Sequence, residues 1–86
     1  MRHTIEVTPH ARRQLLKLPG DVSRHVEEAI SGLADDPRPA SARKLAGPDE
    51  LYRVRVGDYR IIYQVQDKML LVLVVKVGHR RGVYRR

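Results

Sequence analysis

The sequence predicts an α+β fold: an N-terminal strand, a helical hairpin, then antiparallel strands forming one small sheet with the helices packed on one face. Three observations carry this expectation. Two helical patterns stand side by side in the first half of the chain, separated only by a turn. Three strand-like runs follow one another in the second half. The chain has 86 residues, enough for one core, so residues 1–86 read as a single domain.

Each element has a local reason. His3 to Val7 alternates between polar and apolar residues and reads as a short first strand. Thr8-Pro9 then starts a helix, with a hydroxyl N-cap and proline at the first helical position. Ala11, Leu15 and Leu18 give it a thin apolar stripe, and Pro19-Gly20 ends it. Asp21 is the expected cap of a second helix, along which Val22, Val26, Ala29, Ile30 and Leu33 recur on one face. Asp35-Asp36-Pro37-Arg38-Pro39 terminates that helix. Pro39 to Glu50 reads as a loop punctuated by Gly47-Pro48. Leu51 to Val56 alternates strictly, and Tyr59 to Gln66 is rich in β-branched and aromatic residues. Leu70 to Val77 is almost continuously apolar, the pattern of a central strand buried on both faces. Gly78 to Arg86 is a basic tail.

Composition limits the chemistry. With no cysteine there is neither a disulfide framework nor a thiolate metal site. His3, His10, His25 and His79 lack the spacing of zinc ligands, so no metal or cofactor is expected. The longest apolar run, Met69 to Val75, is far too short to span a bilayer, and the expected location is the cytoplasm, away from membranes. The net charge of +7 is one-sided: up to Ala42 six basic residues face six acids, whereas Arg43 to Arg86 carries eleven basic residues against four acids. Such a field attracts a polyanion through steering and counterion release.

Gly57-Asp58, between two alternating runs, predicts a two-residue hairpin turn and with it the register. Val56 then faces Tyr59, Arg55 faces Arg60, Val54 faces Ile61, Arg53 faces Ile62 and Tyr52 faces Tyr63. Tyr52, Val54, Val56, Tyr59, Ile61, Tyr63 and Val65 should share the core face. Arg53, Arg55, Arg60 and Gln64 share the other, with Leu51 and Ile62. Like charges directly across a sheet are destabilising, and an anion between them reverses the sign of the interaction. Arginine's planar fork suits phosphate.

The run Leu51-Tyr52-Arg53-Val54-Arg55-Val56-Gly57-Asp58-Tyr59-Arg60-Ile61-Ile62-Tyr63 resembles the RelE/ParE toxin superfamily. Val77-Gly78-His79-Arg80-Arg81-Gly82-Val83-Tyr84, the helix end Leu15-Leu16-Lys17-Leu18-Pro19 and Lys44-Leu45 before the hairpin strengthen the likeness, which covers essentially the whole chain. The resemblance implies the toxin of a type II toxin–antitoxin system, with a cognate antitoxin as partner. The RelE-like branch cleaves messenger RNA in the ribosomal A site; the ParE-like branch poisons DNA gyrase and generally lacks the arginine and tyrosine constellation. By similarity, Arg53 and Arg55 match the paired basic residues of RelE-like enzymes, where lysine is frequent. Arg60 matches the arginine that stabilises charge on the scissile phosphate, Arg80 the arginine after the last long strand, and Tyr84 the tail tyrosine near the nucleophilic 2′-hydroxyl. The segment from Arg80 to Tyr84 is shorter than in some members. Lys44, Arg81 and Gln64 are expected to bind substrate.

Cleaving RNA with its own 2′-hydroxyl requires removal of a proton, stabilisation of a phosphorane and protonation of the leaving 5′-oxygen. Arginine stabilises charge but is a poor base. Tyr84 titrates near ~10 when unperturbed, and a cluster of arginines favours its phenolate. His79, adjoining Arg80, is the rival base. So weak an acid–base set implies that much of the rate comes from positioning the substrate, which a ribosome can supply. The expected activity is a metal-independent endoribonuclease, an mRNA interferase; a gyrase poison and a non-catalytic RNA- or ribosome-binding module are the alternatives.

Overall fold

The Thr8 hydroxyl accepts a hydrogen bond from the Ala11 amide at 3.1 Å, closing the first turn of helix α1 (Pro9–Leu16). Just before it lies strand β1 (Thr4–Val7). Helix α2 spans Gly20–Gly32, but its N-cap is Pro19 rather than Asp21. The Pro19 carbonyl already accepts from the Ser23 amide at 2.8 Å, so the helix begins two residues earlier than the side-chain signal suggests. Asp21 sits in the first turn, where its charge still meets the positive end of the helix dipole. The structure, a computed structural model, describes residues 2–47 and 49–79.

The sheet is completed by β2 (Arg43–Lys44), β3 (Leu51–Val56), β4 (Tyr59–Gln66) and β5 (Leu71–His79), in the order β1-β5-β4-β3-β2. Three departures from expectation stand out, together with the direction of β1, which a mostly antiparallel sheet left open. The loop from Pro39 to Glu50 contains β2, which at two residues is too short to leave a period in the sequence. β1 pairs parallel with β5, so the sheet is mixed. β5 starts at Leu71 because a 3₁₀ turn (Asp67–Met69) ends with Leu70 in the left-handed region, and it runs on through Gly78 and His79. Finally, β5 is not buried on both faces: Val72, Val74 and Val77 are buried, while Leu71, Leu73 and Val75 are only half-buried.

That last difference defines the architecture. Both helices lie on one side, where Ala11, Val26, Ile30 and Leu33 pack with Tyr52, Val54, Ile61, Tyr63, Val65, Val72, Val74 and Val77. No helix among the described residues lies over the opposite face. The β3–β4 register is the predicted one throughout, from Val56 opposite Tyr59 to Tyr52 opposite Tyr63. Gly57 has φ +59°, while Asp58 is not among the residues of positive φ, the combination of a type II′ turn. No helix among the described residues is long and apolar enough to cross a membrane.

At the end of the sheet away from that turn, Arg38 ties the elements together. Its guanidinium grips the Asp67 carboxylate through two bonds of 2.8 and 3.2 Å, and its Nε donates to the Tyr52 hydroxyl at 2.8 Å. Tyr52 in turn donates to Glu50 at 3.0 Å and stacks on Tyr63, with ring centroids 5.8 Å apart. The Tyr63 hydroxyl donates to the Pro37 carbonyl at 2.8 Å, and burial pushes its pKa up to about 12. Hydrogen bonding from Arg38, with a smaller share from His3, holds Asp67 below the ordinary carboxylate value. A carboxylate with a lowered folded-state pKa stabilises the fold above its unfolded value near ~3.9 and loses that contribution as the pH falls through the folded value. Asp67→Asn should therefore be less stable than wild type in urea at pH 7, and the gap should close in acid.

Candidate nucleic-acid interface

The uncovered face of the sheet gathers cations by register. Arg55 and Arg60 lie directly opposite each other beside the hairpin turn. Arg53, two residues before Arg55, points the same way and faces Ile62. Across from Arg53 on β2 is Arg43, and across from Ile62 on β5 is Lys76. One row of the face therefore reads Arg43, Arg53, Ile62, Lys76, and the next reads Arg55, Arg60, Gly78.

Ile62 is only 7% exposed although no helix among the described residues covers it. Among the described residues, the side chains beside it on the sheet are placed to give that cover. Arg53 and Lys76 flank it in register, with Arg60 and Gln64 two residues to either side. Long basic side chains lay their alkyl stems along apolar surface and keep the charge at the tip. Arg53, Arg60 and Lys76 are each half-buried around that isoleucine. The Arg53 Nε is buried and has no hydrogen-bond partner among the described residues. Gln64 is half-buried, and its amide oxygen accepts from Gln66 at 2.7 Å. Arg43 is exposed and bonds the Ala40 and Ala42 carbonyls.

Two of the expected site residues stand elsewhere. Lys44 is opposite Tyr52, on the helix side, and its ammonium lies 3.6 Å from Glu50. His79 is opposite Tyr59, likewise on the helix side, with the two rings edge to face at 5.5 Å. Arg80, Arg81 and Tyr84 lie outside the described residues. Arg43 and Lys76 escaped the sequence reading. The first needed β2 to be recognised; the second needed a break in the alternation of β5.

An apolar cleft between α2 and the hairpin, lined by Val22, His25, Ala29, Val56 and Tyr59, lies on the other side of the sheet. It lacks the convergent cations that a phosphate chain requires. The uncovered face has them. Among its described residues the patch offers guanidinium and ammonium groups and no imidazole, so it can bind phosphate and stabilise developing negative charge but holds no neutral-pH base.

Residues 5–84 match the family described as ParE toxin of type II toxin-antitoxin system, parDE. The chain belongs to the RelE/ParE toxin superfamily of type II toxin–antitoxin systems. Among its relatives, toxin RelG of Mycobacterium tuberculosis is 36% identical over 90 residues, covering 100% of both chains. The mRNA interferase toxin RelE of Escherichia coli is 28% identical over 82 residues, covering 93% of this chain and 85% of that one. In structure, the archaeal RelE–RelB complex from Pyrococcus horikoshii matches with a TM-score of 0.84 at 30% identity, over 96% of this chain and 100% of that one. The RelBE2 toxin–antitoxin complex of Mycobacterium tuberculosis matches at 0.82 and 29%, over 93% and 100%.

Proposed function

We propose that this chain is a ribosome-dependent mRNA endonuclease, a cytoplasmic toxin that halts translation and is held in check by a cognate antitoxin. The observation that carries this reading is the opposition of Arg55 and Arg60, with Arg53 beside them, on a sheet face that no helix among the described residues covers. Cross-strand cations cost roughly 0.2–1 kcal/mol in the free protein, and phosphate between them turns that cost into binding. The relative named mRNA interferase supports the activity, and the toxin–antitoxin complexes among the structural matches support the partner.

In the reaction, the RNA 2′-oxygen loses its proton and attacks the adjacent phosphorus. Arg60 stabilises the added charge on the phosphorane while Arg53 and Arg55 hold the flanking phosphates. The bond to the 5′-oxygen then breaks, and that oxygen takes up a proton. Tyr84 is the proposed base and Arg80 a second charge stabiliser, both by family likeness; Gln64 and Arg81 contact substrate. Lys44 and His79, on the helix side, have no part in this scheme.

The test is product chemistry. Programmed ribosomes incubated with the protein should yield A-site cleavage products ending in 2′,3′-cyclic phosphate and 5′-hydroxyl, and naked mRNA should be cut far more slowly. Inhibition of gyrase supercoiling with intact mRNA would instead point to the ParE-like activity, and ribosome binding without cleavage to a non-catalytic module.

A further inference from the structure

β5 changes sides partway along. From Gln66 opposite Leu71 to Tyr63 opposite Val74 its pairing with β4 is regular; the next pair is Ile62 with Lys76, which leaves Val75 as the extra residue of a β-bulge. Strict alternation from the buried Val72 and Val74 would carry Lys76 and Gly78 to the helix side. The bulge reverses that parity. Val77 turns inward and is buried, Lys76 emerges on the arginine face, and Gly78 stands opposite Arg60 without a side chain to crowd it.

The outer edge of β5 shows what holds the bulge. β1 pairs with it only as far as Val74. Beyond that point the start of α1 takes the place of a neighbouring strand. The Thr8 amide donates to the Val74 carbonyl at 2.9 Å, and the Thr8 hydroxyl donates to the Val75 carbonyl at 3.3 Å. The Gln14 side-chain oxygen accepts from the Val77 amide at 2.8 Å. An apolar residue at position 14 would leave that amide without its acceptor.

We propose that Lys76 binds RNA phosphate alongside Arg53, Arg55 and Arg60, and that Gln14 is the positioning residue that keeps it on their face by holding the bulged half of β5. The inference rests on the reading of this face as an RNA-binding surface. None of the ion pairs among the described residues occupies Lys76, and its place beside Ile62, with Arg53 on the other side, brings its charge over the same patch.

Salt dependence of binding to a single-stranded 2′-O-methyl RNA oligonucleotide, which lacks the nucleophilic hydroxyl, tests both halves. Each phosphate contact contributes about 0.7 to the slope of log K against log salt for a single strand. Lys76→Gln should lower the slope by about that amount, and Lys76→Arg should restore it. Arg12→Gln, on α1 across the sheet, should leave it unchanged. Gln14→Leu should reproduce the Lys76→Gln loss and add nothing in the double variant, while Gln14→Glu, which keeps an acceptor oxygen, should retain the wild-type slope. If Arg55→Ala lowers the slope and Lys76→Gln does not, Lys76 is no contact and the inference is wrong. An equal loss with Arg12→Gln overturns it as well, since binding would then be diffuse. A wild-type slope in Arg55→Ala and Arg60→Ala would remove the underlying reading of the face. Lys76→Gln carries the test even if Gln14→Leu fails to fold.

Discussion

Replacing Arg60 with alanine should reduce cleavage on ribosomes by about 10²–10³-fold, the usual cost of removing one preorganised stabiliser of transition-state charge. Stability should hold or rise slightly. Arg60 faces Arg55 directly across the hairpin, and removing one of two opposed like charges relieves a repulsion of roughly 0.2–1 kcal/mol. This sign is the informative part. A residue retained for folding destabilises when deleted, whereas one retained for function often does the reverse. Single-turnover cleavage on preassembled ribosomes and urea unfolding of the same preparation measure the two effects. Should the variant unfold, Arg60 is structural and the phosphate site loses its central residue.

The second large effect is expected at Tyr84. Phenylalanine keeps the ring and removes only the hydroxyl. If that hydroxyl takes the 2′-proton, the cleavage step should slow by about 10²–10⁴-fold while affinity for the ribosome stays near wild type. His79→Gln is the matched control. The His79 ring stands edge-on to Tyr59 on the helix side of the sheet, so glutamine there should cost little catalytic rate. A dead histidine variant beside an active phenylalanine variant would reassign the base to His79.

Much of this was legible in the sequence where local signals are strong. Thr8-Pro9 announced α1, and Gly57-Asp58 set the hairpin register residue for residue, which by itself places Arg53, Arg55 and Arg60 on one surface. The signals failed where structure is decided at longer range. The two-residue β2 has no period of its own and exists because β3 offers it an edge, so Arg43 went unnoticed. Lys76 was hidden because the bulge at Val75 depends on Thr8 and Gln14, more than sixty positions away. The pairing of β1 with β5 left no mark either: a continuous apolar run does not say which strands flank it or in which direction they point.

The parallel pairing of β1 with β5 has a consequence for how the protein comes into being. Thr4 pairs with Leu71, so the first described strand waits for the last described one. Contacts of such long sequence separation form slowly, because the loop entropy must be met before they contribute. The helical hairpin and the β3–β4 hairpin can assemble from local contacts as they emerge. β5, the strand that lies between β1 and β4 and carries Lys76, cannot be seated until its own residues are made. A nascent chain that has not yet made β5 therefore holds its arginines without the surface that β5 completes.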